Sequence, residues 1–155
     1  MAAMLLIMRP MKESTTSSDA AVESTESLEL ASGEDVVRLR QKVRERAIAC
    51  RFSLVEQTKI VTAASELGRN TIQYGGGGQA RIMVVTNGAS RGLRLEFADQ
   101  GPGIADMELA LTDGYTTGGG LGLGLSGARR LSDEFEIESQ PGQGTRVTIV
   151  RWGPF

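Results

Sequence analysis

Two long stretches of the chain repeat apolar residues at helical spacing. The first covers residues 34–50, where apolar positions alternate with arginine and glutamate. The second starts at Ser53, and Glu56 follows three positions later, as in a capping box. Four consecutive glycines, Gly75–Gly78, interrupt the second pattern after Tyr74. We therefore predict helices over residues 34–50 and 53–74.

Four shorter runs resemble strands and are bounded by turn residues. They cover residues 80–86, 93–98, 135–138 and 145–152, and turns at 87–92 and 141–144 join them in pairs. Short helical patterns lie near residues 106–111 and 123–131. Because two hairpins imply antiparallel pairing, we predict an α+β fold: a two-layer α/β sandwich whose mixed, mostly antiparallel sheet is covered on one face by helices.

The start of the chain has a different composition. Residues 14–27 contain eight Ser or Thr in fourteen positions and little that a core could bury. Such a segment cannot offset the entropy lost on ordering. We predict a disordered, Ser/Thr-rich tail over residues 1–27 and a single domain over residues 28–155, a length that suits one core.

Charge and composition exclude several classes of function. The net charge of −2 gives no electrostatic reason to expect a nucleic-acid partner. The absence of histidine excludes a Ser-His-Asp triad and a phosphorylated histidine on this chain. One cysteine, Cys50, cannot form an intramolecular disulfide and fits a reducing compartment. Since the apolar run at residues 4–8 is too short to span a bilayer, we expect a soluble cytoplasmic protein without a membrane partner.

Glu66 and Asn70 lie one helical turn apart, beside the apolar face of the second predicted helix. The amide oxygen of Asn70 suits a hard cation such as Mg²⁺, and Glu66 suits a general base. The alternative is a solvated glutamate paired with Lys59 or Arg69.

Asp99 ends a predicted strand and opens the motif Asp-x-Gly-x-Gly. A carboxylate there can accept a hydrogen bond from an exocyclic amine such as adenine N6, and the two glycines let backbone lie against a flat base. The alternative is an ordinary surface turn.

Two further motifs are rich in glycine. Residues 116–127 are rich in glycine and run directly into a predicted helix, an arrangement that suits phosphate binding. Residues 112–120 suit a lid over a bound nucleotide. The alternative for this region is a flexible linker. Residues 142–145 read Gly-Gln-Gly-Thr, where the Thr145 hydroxyl is placed to contact a base edge. The alternative there is a plain hairpin turn.

In their order along the chain, the four motifs resemble those of the GHKL ATPase superfamily, which includes the ATP domains of gyrase, Hsp90, MutL and histidine kinases. Residues 64–70, 113–122 and 125–135 are most similar to the RsbT-type switch serine/threonine kinases of bacterial stress signalling. The resemblance covers residues 28–152 and implies the Bergerat fold with ATP and Mg²⁺ as ligands.

The resemblance also implies roles for single residues. Glu66 would be the catalytic base, Asn70 the Mg²⁺ ligand and Asp99 the adenine anchor. The other implied ATP-binding positions are Gly101, Gly103, Ile104, Thr116, Thr117, Gly118, Gly119, Gly120, Leu121, Gly122, Leu123, Gly124 and Thr145.

The implied reaction is phosphoryl transfer from Mg·ATP to a Ser or Thr of a small STAS-domain protein, RsbS-like, alone or within a larger RsbR-like assembly. The released kinase would then activate a PP2C-type, RsbU-like phosphatase. Two alternatives remain: an RsbW-like anti-sigma factor that sequesters a sigma factor, and a binding module with little turnover. A histidine-kinase fragment fits less well, because no histidine phosphoacceptor and no dimerising coiled coil precede the domain.

Overall fold

The computed structural model describes residues 20–112 and 124–154. In chain order, its elements are β1 (Ala21–Leu30), α1 (Gly33–Ala49), α2 (Leu54–Gln73), β2 (Gly78–Asn87), β3 (Ser90–Asp99), α3 (Met107–Ala110), α4 (Gly124–Arg130), β4 (Glu134–Ser139) and β5 (Thr145–Trp152). The strands form one five-stranded sheet in the order β1-β2-β3-β5-β4. Every neighbouring pair is antiparallel.

The main core lies between one face of this sheet and the helices. Alternate residues of each strand point to that face, as the twofold period of a strand requires. Leu95 and Ile149 of the sheet are fully buried there together with Leu39 of α1 and Ile60 of α2. The predicted α+β, two-layer architecture is therefore confirmed.

The other face of the sheet is more polar and holds a small second cluster. Met83, Val85 and Val150 are buried on it, and Trp152 packs against them. Strand register places Arg81 opposite Glu96 and Arg146 opposite Glu138 on this face. The register thus places opposite charges in neighbouring positions, which is a favourable arrangement on a solvent-facing sheet surface.

A serine is the N-cap of each long helix, Ser32 for α1 and Ser53 for α2. The Ser53 hydroxyl accepts a hydrogen bond from the Glu56 backbone N–H at 3.2 Å, which is one half of the predicted capping box. At the start of α1, the Asp35 carboxylate accepts from the backbone N–H groups of Ala31 and Ser32. These two bonds, with the ion pair to Arg38, hold the pKa of Asp35 below its usual value.

Strand β1 corrects the predicted domain boundary at Leu28. Residues 21–30 form this strand, and it pairs with β2 from Ala21 to Leu30. The polar composition reflects an edge position, where most side chains face solvent and Leu30 alone is fully buried. Residues 1–19 of the predicted tail lie outside the described residues.

The first hairpin is tighter than the predicted six-residue turn. Asn87 pairs with Ser90, so Gly88 and Ala89 alone connect β2 to β3. Gly88 has φ 62° at the first central position, which is the conformation that two-residue hairpin turns require.

Two further observations concern helix length and the single cysteine. Within residues 20–112 and 124–154, no helix is long and apolar enough to span a membrane. Cys50 is a buried free thiol, and burial raises the pKa of that thiol.

Candidate nucleotide-binding site

One row of residues crosses the end of the sheet nearest the end of α2. Strand register places Asp99 of β3 opposite Gly78 on one side and opposite Thr145 of β5 on the other, and Thr145 opposite Ser139 of β4. Cross-strand partners share a face, and alternation puts these side chains on the helix side, with Phe97 and Val147. The row therefore carries a carboxylate and two hydroxyls beneath the helical layer.

The Asp99 carboxylate is fixed by its neighbours through one of its two oxygens. Its Oδ1 accepts a hydrogen bond from the Gly101 backbone N–H at 2.9 Å, whereas Oδ2 has no hydrogen-bond partner within the described part of the chain. A half-buried carboxylate oxygen with a free lone pair is suited to an amine from a ligand.

Gly75, directly after α2, leaves the space in which this carboxylate lies. A Cβ on Gly75 would come within 2.6 Å of Asp99 Oδ2, and a Cβ on Gly101 would come within 2.7 Å of the Gly75 Cα. Neither glycine position has room for a side chain beside the Asp99 carboxylate. The two glycines bring the end of α2 against the Asp-x-Gly-x-Gly loop.

The loop after Asp99 is clamped to the turn between β4 and β5. The Gly142 backbone N–H donates to the Pro102 carbonyl at 2.7 Å. Gly103 and Gly144 have φ of 75° and 87°. A Cβ on Gly103 would overlap the Gln140 carbonyl, and one on Gly144 would overlap the Asp99 carbonyl. Gly103 and Gly144 lie 41 positions apart in the sequence, and these contacts join their two motifs into one wall.

Ser139 joins the same two motifs from within. It is 4% exposed, and its Oγ lies 2.8 Å from the Ile104 backbone nitrogen, 3.2 Å from the Gly144 carbonyl oxygen and 2.9 Å from Thr145 Oγ1. This hydroxyl therefore contacts both the loop that follows Asp99 and the turn that precedes Thr145.

The helix α2 carries the other two predicted residues. Arg69 Nη1 donates to Glu66 Oε1 at 2.8 Å, so the glutamate has the ion pair that was the alternative interpretation. This ion pair does not test whether Glu66 acts as a base, and that role stays a prediction. The Asn70 amide nitrogen lies 3.8 Å from the position that a Cβ on Gly124 would take, which places Asn70 beside the start of α4.

The side-chain atoms available as metal ligands determine which metal this site suits. Among the described residues, no group of three Asp, Glu, Cys or His side chains is placed to hold a metal ion. Asn70 offers one amide oxygen. Mg²⁺ commonly binds one or two protein oxygens and takes its other ligands from substrate phosphates and water. The residues present therefore fit a Mg²⁺ ion that arrives with a nucleotide.

The structure thus brings together five of the predicted positions at the end of the sheet: Asp99, Gly101, Gly103, Ile104 and Thr145. Through Gly75, these positions abut the end of the helix that carries Glu66 and Asn70. Gly124 begins α4. The remaining predicted positions lie outside the described residues: Thr116, Thr117, Gly118, Gly119, Gly120, Leu121, Gly122 and Leu123.

Sequence analysis missed two residues of this site. Gly75 was interpreted only as part of the glycine run that stops α2. Ser139 attracted no attention because a serine at a strand end is common. Its position opposite Thr145 is the available signal, but it requires the register of the β4–β5 hairpin.

Comparison with known proteins defines the class. The family model of histidine kinase-, DNA gyrase B- and HSP90-like ATPases matches residues 55–152. This chain belongs to that family of ATPases.

Individual relatives narrow the class further. The chain is 44% identical to the serine/threonine-protein kinase RsbT of Bacillus subtilis over 118 residues, which are 76% of this chain and 89% of RsbT. It is 32% identical over 104 residues to the anti-sigma F factor of Thermoanaerobacter sp. (strain X514), covering 64% of this chain and 73% of that one. The anti-sigma F factor of Clostridium acetobutylicum is 31% identical over 105 residues, 64% of this chain and 72% of the relative. The predicted membership among RsbT-type kinases is confirmed.

Proposed function

We propose that this chain is an ATP-dependent kinase that phosphorylates a Ser or Thr of a small, RsbS-like STAS-domain protein, alone or within an RsbR-like assembly. Once released from that substrate, it would bind and activate a PP2C-type, RsbU-like phosphatase. The observation that carries the proposal is the close packing of Gly75 against Asp99, which brings the Asp99 carboxylate next to the end of the helix that bears Glu66 and Asn70. The 44% identity to a kinase named RsbT supports the same reaction.

Each described residue has a role that follows from its chemistry. Asp99 and Thr145 accept hydrogen bonds from the exocyclic amine of adenine, and Gly101 and Gly103 let the backbone lie against the base. Asn70 supplies an oxygen ligand to Mg²⁺. When bound, Mg²⁺ offsets negative charge on the phosphates.

The transfer step requires one proton acceptor. The substrate hydroxyl oxygen forms a bond to the γ-phosphorus, the bond between that phosphorus and the β,γ-bridging oxygen breaks, and ADP leaves. Glu66 accepts the proton of the hydroxyl, which keeps the attacking oxygen from becoming a cation.

The direct test mixes the full chain with Mg·ATP and candidate STAS-domain proteins, followed by mapping of phosphosites by mass spectrometry. We expect one modified Ser or Thr on the STAS protein and none on this chain. Modification of this chain instead would contradict the proposal. ATP uptake without any transfer would support the alternative of a binding module with little turnover.

A matched pair of variants separates a catalytic Glu66 from a structural one. We expect Glu66→Gln to lower the transfer rate by about 10²–10⁴-fold, because an amide cannot accept the proton. Arg69→Gln removes the same ion pair but leaves the carboxylate, so its transfer rate should stay within about threefold of the parent, as expected for a surface pair. Single-turnover kinetics at saturating ATP provide the measurement. Equal, small effects of the two variants would show that the ion pair is the sole role of Glu66.

A second candidate function rests on the anti-sigma F relatives. An RsbW-like protein would use the same pocket, but its main output would be to sequester a sigma factor. The 32% identity to one such factor favours testing this directly. Pull-downs with sigma factors and with PP2C-type phosphatases in parallel distinguish the two, since the proposed switch kinase should retain the phosphatase alone.

A further inference from the structure

The hydrogen bonds of Ser139 determine which way its neighbour Thr145 can bond. The Ile104 backbone N–H can only donate, so Ser139 Oγ accepts at this 2.8 Å contact. The Gly144 carbonyl, 3.2 Å away, can only accept, so all three contacts are hydrogen bonds at once only when the single Ser139 proton points to this carbonyl. Only one arrangement then makes the third contact a hydrogen bond: Thr145 Oγ1 donates its proton to Ser139 at 2.9 Å.

This arrangement leaves Thr145 with lone pairs and no proton for a ligand. Its cross-strand neighbour Asp99 is also an acceptor, and the nearby Gly101 N–H is already bonded to Asp99 Oδ1. Two adjacent strands therefore present acceptors only. A ligand group that faces both must be a donor.

We propose that Ser139 is a specificity-determining residue that acts through Thr145, by holding the threonine hydroxyl as an acceptor and so selecting a 6-amino purine over a 6-oxo purine. The proposal rests on the proposed nucleotide function. Adenine presents an amino group at position 6, whereas hypoxanthine presents a carbonyl oxygen there. A carbonyl would face the Asp99 carboxylate and the Thr145 lone pairs without a proton to share.

Burial explains why this polarity is stable. Ser139 is 4% exposed, so water cannot readily replace its three partners. If the Thr145 hydroxyl turned its proton elsewhere, Ser139 Oγ would accept a hydrogen bond from the Ile104 N–H only, and one buried hydrogen bond would be lost. Once Ser139 is replaced by alanine, the Thr145 hydroxyl is free to rotate and donate to a carbonyl oxygen.

The test measures dissociation constants of ATP and ITP in the presence of Mg²⁺ by calorimetry on the full chain. ITP differs from ATP only in its base, because hypoxanthine has a carbonyl oxygen at position 6 and a proton on N1. We expect Ser139→Ala to reduce the preference for ATP over ITP by about fivefold, the worth of one neutral hydrogen bond, mainly through tighter binding of ITP. An unchanged preference would overturn the inference.

A double-mutant cycle shows whether Ser139 acts through Thr145. In the Thr145→Val background no hydroxyl remains to orient, so adding Ser139→Ala should leave the preference for ATP over ITP unchanged. If Ser139→Ala changes that preference equally in both backgrounds, Ser139 does not act through Thr145 and the proposal fails.

Two more variants keep the test informative if Ser139→Ala folds poorly. Ser139→Thr retains the hydroxyl and should retain the preference, whereas Ser139→Cys is similar in size but bonds weakly and should reduce it. Thermal melts report folding separately. A parent chain that binds neither nucleotide overturns the proposed function itself, whereas ATP binding with no effect of Ser139 overturns only this inference.

Discussion

Replacing Asp99 by asparagine should weaken ATP binding by about a hundredfold or more. Asparagine can keep the bond from the Gly101 N–H through its own oxygen, and it must then turn its NH₂ group to the position of Oδ2. A donor would face the amine of adenine where an acceptor stood before. Loss of a charge-assisted hydrogen bond costs about 2–3 kcal/mol, and the donor–donor contact adds to that.

Calorimetry with Mg·ATP measures this effect, and the chain offers a matched control. Asp133 accepts a hydrogen bond from the Trp152 backbone N–H at 2.8 Å, at the opposite end of β4 from Ser139. Asp133→Asn makes the same chemical change away from the site, and its ATP affinity should equal that of the parent. Undiminished ATP binding by Asp99→Asn would remove the central support for the proposed function.

The second large effect should come from Gly144→Ala, acting on stability. Gly144 has φ 87°, a conformation that costs an alanine about 1–2 kcal/mol. A Cβ there would also overlap the Asp99 carbonyl, which belongs to a sheet strand and cannot move freely. We expect the free energy of unfolding to fall by about 3 kcal/mol or more, with loss of nucleotide binding.

Gly142 separates the two contributions. Its φ is 79°, close to that of Gly144, but a Cβ at Gly142 would meet nothing within 4 Å. Gly142→Ala should therefore cost only the backbone strain of about 1–2 kcal/mol. Urea unfolding of both variants gives the comparison. Equal losses of stability would mean that the Gly144 contact with Asp99 relaxes easily, contrary to the clamp described between the two motifs.

Local pattern was sufficient to predict most of the fold. The helix over Leu54–Gln73 and the strands of both hairpins were predicted because helical and alternating periodicities reflect burial on one face. Strand β1 was missed because an edge strand needs few apolar residues, and its Ser- and Glu-rich sequence has the composition of a disordered segment. What orders it is pairing with β2, which local sequence cannot show.

The candidate site was predicted less completely, for a related reason. Asp99 and Thr145 were found because they belong to recognisable motifs. Their contact, however, depends on the register of β3 against β5. Gly75 and Ser139 carry no motif of their own. Gly75 matters because a Cβ there would come within 2.6 Å of Asp99 Oδ2, and Ser139 matters because of its hydrogen bonds of 2.8–3.2 Å across the fold. Sequence thus identified the groups that we propose to contact the nucleotide but not those that orient them.

The edge position of β1 also has a consequence for removal of residues from the start of the chain. Three glutamates, Glu23, Glu26 and Glu29, line the outermost strand, and charged side chains on an edge strand discourage edge-to-edge pairing of sheets. If the chain began at residue 28, most of β1 would be missing and β2 would become the edge strand. Its residues Met83, Val84 and Val85 form an uncharged apolar stretch. We expect the unpaired backbone groups of β2 to favour pairing with another molecule in such a shortened chain.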